Sequence, residues 1–197
     1  MKFKNLDFEN VLIAAKAFKL SQDDSYIIAY PEFIKYFNEI GSDELRFHHL
    51  VISSHFIYGW MPTIIHLNIS QKDEVLSLLN KVKLGQLLNS SQLHILKECI
   101  NGSMVGLSKL LHFINPEIYP IWDSKIYKYI TDKNSTYGID RPENYISYLN
   151  EVLKIANHID FNKISKLICN KLNYQVSQIR VIELCIFQYY KNQKHLK

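Results

Sequence analysis

No apolar run in this chain approaches the length needed to cross a bilayer, and no cysteines stand at metal or redox spacing. The three cysteines, Cys99, Cys169 and Cys185, are far apart in sequence. They form no CxxC pair and fit no disulfide framework; Cys169 and Cys185 are expected on helix faces as small buried hydrophobes. The eight histidines include the pair His48–His49, with His55 and His66 downstream. None belongs to an HExxH motif or a Cys-plus-His zinc spacing, so neither a metal nor another cofactor is expected. The N-terminal stretch "MKFKNLDFENVL" carries charge where a signal peptide needs an apolar centre. That points to a cytoplasmic protein with no membrane partner. Period-two alternation, fixed-period repeats and low-complexity tracts are missing as well.

Arginine is scarce: Arg46, Arg141 and Arg180 are the only ones. The net charge of +4 and pI of about 8.8 permit a nucleic-acid partner without demanding one. An AT-rich coding sequence would produce the same excess of Lys, Asn and Ile.

What is present is apolar content of 47%, enough for a packed interior. A length of 197 residues suits a single helical domain, 1–197, or two small lobes sharing a core. The periodicity predicts helices over 8–20, 31–40, 42–58, 71–83, 91–100, 105–114, 124–132, 142–157, 161–171 and 176–192. Pro31 is read as opening the second, and Gly41 as stopping it. Pro62 is placed near the end of the third. Ser42, Ser90 or Ser91, Asp123 and Asp160 are the polar starts. "KNSTYGIDRP" is the clear surface loop. The expected class is all-α, about ten short helices, with possible lobes 1–40 plus 135–197 and 41–134.

One stretch concentrates the unusual features: "INGSMVGLSKLLHFINPEIYPIWD", residues 100–123. A tight turn at Asn101-Gly102-Ser103 separates two helices. Gly106 on the second is small enough for another backbone to approach. That helix must end before Pro116, because a residue preceding proline is pushed out of helical geometry. The chain from Pro116 to Pro120 then runs extended, and Asp123 stands at the start of the next helix. A carboxylate there is favoured by the helix dipole and free N–H groups. It is either an N-cap, worth about 1 kcal/mol, or a fixed anion suited to an oxocarbenium-like transition state or an oriented water.

A second stretch, "HLVISSHFIYGWMPTII", is dense in aromatics and histidine. An extruded base is held by stacking and by hydrogen bonds to its edge. Tyr58 and Trp60 suit stacking, and His55 suits hydrogen bonding; Trp122, beside Asp123, is either part of that pocket or core. Alternatively the whole stretch is an amphipathic core helix and a turn. Near the C-terminus, Arg180 and Glu183 lie three apart on one face. Buried against the first helix, they would fix how the chain ends meet. The basic tail "YYKNQKHLK" either touches phosphate or is solvated.

The order of turn, helix, proline-flanked corner and Asp resembles the helix-hairpin-helix DNA glycosylase superfamily, its 8-oxoguanine glycosylase-like branch included. In that superfamily a glycine-rich hairpin grips DNA phosphates through backbone N–H groups. A "P-x-x-x-P-x-D"-like corner then supplies the catalytic Asp. Gly102 precedes Asp123 by 21 positions, close to the superfamily's spacing of roughly twenty. The motif match covers about a quarter of the chain. The resemblance implies a two-lobed helical fold and double-stranded DNA as partner, with Asp123 as the catalytic carboxylate. It implies DNA contacts at Asn101, Gly102, Ser103, Lys109, Lys125 and Lys128. Where the superfamily's hairpin reads Leu-Pro-Gly-x-Gly, this chain reads "CINGSMVG", and no lysine stands at the position of the bifunctional members' nucleophile. Lys109 is on the right helix but too near Asp123. The implied activity is therefore a monofunctional hydrolysis of a modified base's N-glycosidic bond, as in DNA repair. The alternative is a non-catalytic helical module binding nucleic acid or protein, of a mobile-element or defence kind, on the same scaffold.

Overall fold

The structure is a computed structural model that describes residues 3–19, 25–61 and 63–194, without the side chain of Lys194. Pro62 and the last three residues of the basic tail lie outside the described residues. The chain is all-helical: α1 (Phe8–Lys16), α2 (Ser25–Glu39), α3 (Phe47–Trp60), α4 (Lys72–Lys83), α5 (Ser90–Cys99), α6 (Met104–Ile114), α7 (Ser124–Thr131), α8 (Pro142–Ala156), α9 (Phe161–Leu172) and α10 (Gln178–Lys194). Among the described residues the one isolated β-bridge pairs Leu67 with Ile100. No described helix is long and apolar enough to cross a membrane.

Three helix starts differ from the expected ones, each for a reason visible in its hydrogen bonds. Pro31 does not open α2; it lies inside it. A proline there has no N–H for the carbonyl four residues back, that of Ile27. The Tyr174 hydroxyl donates to that carbonyl instead, at 3.2 Å. Helix α3 begins at Phe47 rather than Ser42, because Asn80 captures the backbone of Leu45 on both sides. Asn80 Oδ1 accepts the Leu45 N–H at 2.7 Å and its Nδ2 donates to the Leu45 carbonyl at 3.1 Å. For α5 the cap is Asn89 rather than Ser90 or Ser91. Asn89 and Gln92 exchange reciprocal side-chain-to-backbone bonds at 3.0 Å, which satisfies two helix-end donors at once. Asp160 stands at the start of α9, but its carboxylate pairs with Lys163 rather than capping an amide.

Helix α10 packs against α1, α7, α8 and α9; α6 packs against α2, α3, α4 and α5; and α5 joins the groups through α8. This grouping departs from the expected lobes at α2, which lies on α6, and at α7, which lies on α10. Every residue of α6 except Val105 is buried, the mark of a helix surrounded by others. Gly106 makes this possible on one side. What approaches it is the side chain of Tyr58 rather than a backbone: a Cβ there would lie 2.8 Å from the Tyr58 ring. Three buried residues of α6 are polar, namely Ser108, Lys109 and His112, and Ser108 and His112 serve the corner that follows.

Candidate functional site

Between Ile114 and Ser124 the chain leaves helical geometry, as the two prolines require. Extended backbone in an interior needs hydrogen-bond partners from elsewhere, and side chains from three helices provide them. From α6, Ser108 Oγ accepts the Trp122 N–H at 2.9 Å and His112 Nδ1 donates to the Tyr119 carbonyl at 2.8 Å. From α8, the Tyr145 hydroxyl donates to the Pro120 carbonyl at 2.9 Å and the Tyr148 hydroxyl to that of Ile121 at 3.1 Å. From α10, the Glu183 carboxylate accepts the Ile121 N–H. The corner is thereby held from all sides, and it delivers Asp123 to the start of α7.

Asp123 caps α7: its Oδ1 accepts the Lys125 N–H at 2.7 Å. No other hydrogen bond to the carboxylate comes from the described residues. The residue is half-buried and opens onto a cleft of about 350 Å³, a size that suits a small ligand. Tyr26, Trp60 and Phe187 give the cleft aromatic walls, and Lys109, Lys125, Arg180, Glu183 and Gln188 give it polar groups. Two atoms at the cleft are buried without partners. They are Trp60 Nε1 and Arg180 Nε. Buried polar atoms are paired in folded proteins with few exceptions, so an unpaired group of this kind asks for a ligand or water.

Beneath the cleft runs a buried polar network. Arg180 Nη1 donates to Glu183 Oε2 at 3.1 Å, and the guanidinium lies 4.5 Å from the Tyr30 ring centroid. A carbonyl only accepts, so the bond to Tyr119 puts the His112 proton on Nδ1. Nε2 then accepts from the Tyr30 hydroxyl at 2.9 Å. Burial and the nearby Arg180 hold His112 down at about 3, so it is neutral. Burial pushes Glu183 up to about 7, against the pull of Arg180 and the Ile121 amide. Burial also lowers Lys109 to about 8; Asp123 opposes this, while Arg180 and Lys125 add to it.

The structure brings Asp123, Trp60, Lys109 and Lys125 together on this cleft and places the other expected site residues elsewhere. Trp122 is core rather than pocket: it is fully buried, donates from Nε1 to the Ile139 carbonyl at 2.7 Å, and packs edge-on against Tyr127. Tyr58 is buried against Gly106, so it too is not a pocket wall. His55 is exposed on α3, donating to the Val51 carbonyl one turn back, and does not line the cleft. Lys128 is half-buried on α7 outside the cleft lining.

Asn101, Gly102 and Ser103 form the expected tight turn, with Asn101 and Gly102 both in the left-handed region. The amides of Gly102 and Ser103 are engaged within the protein. Gly102 N–H donates to the Lys97 carbonyl and Ser103 N–H to that of Ile100, each at 3.0 Å. Met104 N–H donates to Asp140 Oδ1 at 3.0 Å, and Gly106 N–H to Ser103 Oγ at 3.3 Å. The Asn101 side chain ties the turn to the 64–66 segment, accepting from His66 N–H and donating to the Ile64 carbonyl.

Sequence reasoning did not assign Tyr26, Phe187 and Gln188 to the site, and gave Arg180 and Glu183 a purely structural part. The pair is buried as expected, but it faces Tyr30 of α2 and the Ile121 amide rather than α1. Residues 180, 183, 184, 187 and 188 recur at helical spacing. That stripe was legible as one face of α10, though not as a face turned to a cleft. All three cysteines are buried and unpaired. Among the described residues no cluster of His, Cys, Asp and Glu is arranged to hold a metal.

Compared with known proteins, the chain matches no family model, no curated protein and no solved structure.

Proposed function

We propose that this chain binds duplex DNA and hydrolyses the N-glycosidic bond of a modified base, with Asp123 as the carboxylate that stabilises the developing sugar cation or orients the attacking water. The observation that carries it is the position of Asp123: a helix-capping carboxylate, on a corner held from three helices, open to a cleft where Trp60 Nε1 and Arg180 Nε lack partners. An extruded base has flat faces for Trp60 and Phe187 and a donor–acceptor edge for the Gln188 amide. The backbone of the flanking nucleotides meets Lys125 and Lys128 on α7, and the net charge of +4 favours such contact. Two features of the sequence agree with the proposal: the order of turn, helix and corner, and the spacing from Gly102 to Asp123. The amides of Gly102, Ser103 and Met104 are already engaged, so phosphate contact rests on the lysines.

The test is a pair of measurements on the wild type. Duplex affinity should fall steeply with salt, because each phosphate contact releases counterions. Single-turnover assays on duplexes carrying a panel of modified bases should release one of them. Salt-sensitive binding without base release from any duplex would favour the non-catalytic binding module. Absence of salt-sensitive duplex binding would end the DNA assignment.

A further inference from the structure

The N-glycosidase proposal leaves the two buried cations of the cleft, Lys109 and Arg180, without a part. They are 9% and 6% exposed. Lys125 and Lys191 line the same cleft, and the carboxylates beside these four cations are Asp123 and Glu183 alone. Glu183 is already engaged, by Arg180 Nη1 and by the Ile121 N–H. Asp123 acts on Lys109 through space, and among the described residues no ion pair joins them. Arg180 and Lys125 oppose the Lys109 charge. Buried charges of one sign are costly unless a counter-charge meets them. The partnerless atoms point the same way. Trp60 Nε1 and Arg180 Nε each carry a hydrogen and can only donate, so what satisfies them presents acceptors. Flat apolar walls adjoin the cations: Lys109 Nζ stands 5.7 Å from the Trp60 ring centroid, and Lys125 Nζ lies over the Phe187 ring at 4.4 Å.

We infer that the cleft binds a phosphate monoester carried on a flat ring, with the phosphate among Lys109, Lys125 and Arg180 and the ring against Trp60. At neutral pH such a phosphate brings a charge of about −1.5 to −2 and three acceptor oxygens. That matches a cleft in which four cations face two carboxylates; a carboxylate ligand would bring about half the charge. A ring bonded to the phosphate ester oxygen reaches Trp60, because Lys109 already stands beside that indole. The cleft volume of about 350 Å³ suits a ligand of this size. A free mononucleotide and the phosphorylated end of a DNA strand share this chemistry. The inference does not rest on the N-glycosidase proposal, since it requires neither a modified base nor a bond cleaved. Base release can fail while the phosphate binds, and the reverse.

Titration calorimetry of the wild-type chain at low salt tests it, with phenyl phosphate as the probe. Phenyl phosphate should bind with a Kd of about 100 μM or tighter. Phenol, benzoate and inorganic phosphate should each bind at least about tenfold more weakly. Lys109→Met should weaken phenyl phosphate at least about tenfold, with a thermal midpoint no lower than the wild type's to show the fold intact. Asp123→Asn should tighten it about threefold, because a negative charge beside the phosphate is gone; damage to the fold would not tighten binding. A single-stranded oligonucleotide with and without a 5′-phosphate separates the two sources. If the phosphorylated strand binds tighter than both phenyl phosphate and the unphosphorylated strand, the ligand is a DNA end; if phenyl phosphate binds tighter, it is a free monoester. Benzoate equal to phenyl phosphate overturns the phosphate, and inorganic phosphate equal to it overturns the ring. Unchanged affinity in Lys109→Met overturns the placement. No binding of phenyl phosphate at about 10 mM overturns the inference outright, and that measurement stands even if a variant fails to fold.

Discussion

The Glu183 carboxylate accepts the backbone N–H of Ile121, two residues before Asp123. The same carboxylate holds Arg180, so one buried residue fixes the corner and neutralises the floor of the cleft. Glu183→Ala leaves a buried guanidinium unpaired and an amide without an acceptor, and should cost about 3–5 kcal/mol in urea denaturation. Arg180→Leu combined with Glu183→Leu should recover part of this, because the buried charge is then gone. A cost below about 1 kcal/mol for Glu183→Ala would show that the network does not hold the corner.

The network also sets how stability depends on pH. Glu183 is raised in the fold to about 7 from 4.5. Its contribution is full below about 4.5 and is lost as pH rises through about 7. His112 is lowered to about 3 from 6.5. Its contribution is full above about 6.5 and is lost as pH falls through about 3. Glu183→Gln should therefore remove a decline in stability with rising pH, and His112→Gln a decline with falling pH. Unfolding free energy measured across this range checks both slopes, and unchanged slopes would mean the two groups titrate as they do in the unfolded chain.

Helix α6 can sit centrally because Gly106 carries no side chain. A Cβ there would come within 2.8 Å of the Tyr58 ring, tighter than van der Waals contact allows. Gly106→Ala should destabilise by about 1–3 kcal/mol despite alanine's better helix propensity. Pairing it with Tyr58→Leu should return part of that loss. A stabilised single variant in thermal unfolding would contradict this packing.

Burial sets the charge of Lys109 against stability. Its contribution is full above about 10.5 and is lost as pH falls through about 8, so at neutral pH the buried ammonium opposes folding. Lys109→Met should raise the thermal midpoint at neutral pH by about 2 °C or more, with the advantage fading toward about pH 10. A lowered midpoint would mean that the ammonium has a partner.

Much of the fold was legible from pattern. The break between Ile114 and Asp123 follows from Pro116 and Pro120, and the turn at Asn101-Gly102 from residues that tolerate the left-handed region. The start of α3 was not legible, because Asn80, 35 positions from Leu45, decides it. Nor was the interior position of Pro31, which depends on a hydroxyl from Tyr174. In the cleft, Asp123 and Trp60 stood out by residue type and context. Tyr58 and Trp122 have the same chemistry as Trp60, yet they are core. What separates them is where the backbone turns each ring, by helix rotation for Tyr58 and by the path of the corner for Trp122. Gln188 carried no local mark, and the spacing to Arg180 marked Glu183 only as half of a pair, since its bond to the corner comes from α10 meeting a segment more than sixty residues away.

The most direct measurement is single-turnover base release by Asp123→Ser and Asp123→Asn beside the wild type. Both replacements can accept the Lys125 N–H, so the cap survives and the thermal midpoint should stay within about 3 °C. Duplex affinity should persist, because removing a negative charge near phosphate does not weaken attraction to it. Base release should be abolished in both variants, as expected for an anion needed only in the transition state. Near-wild-type release by the serine variant would reduce Asp123 to a helix cap and contradict its assignment as the catalytic carboxylate.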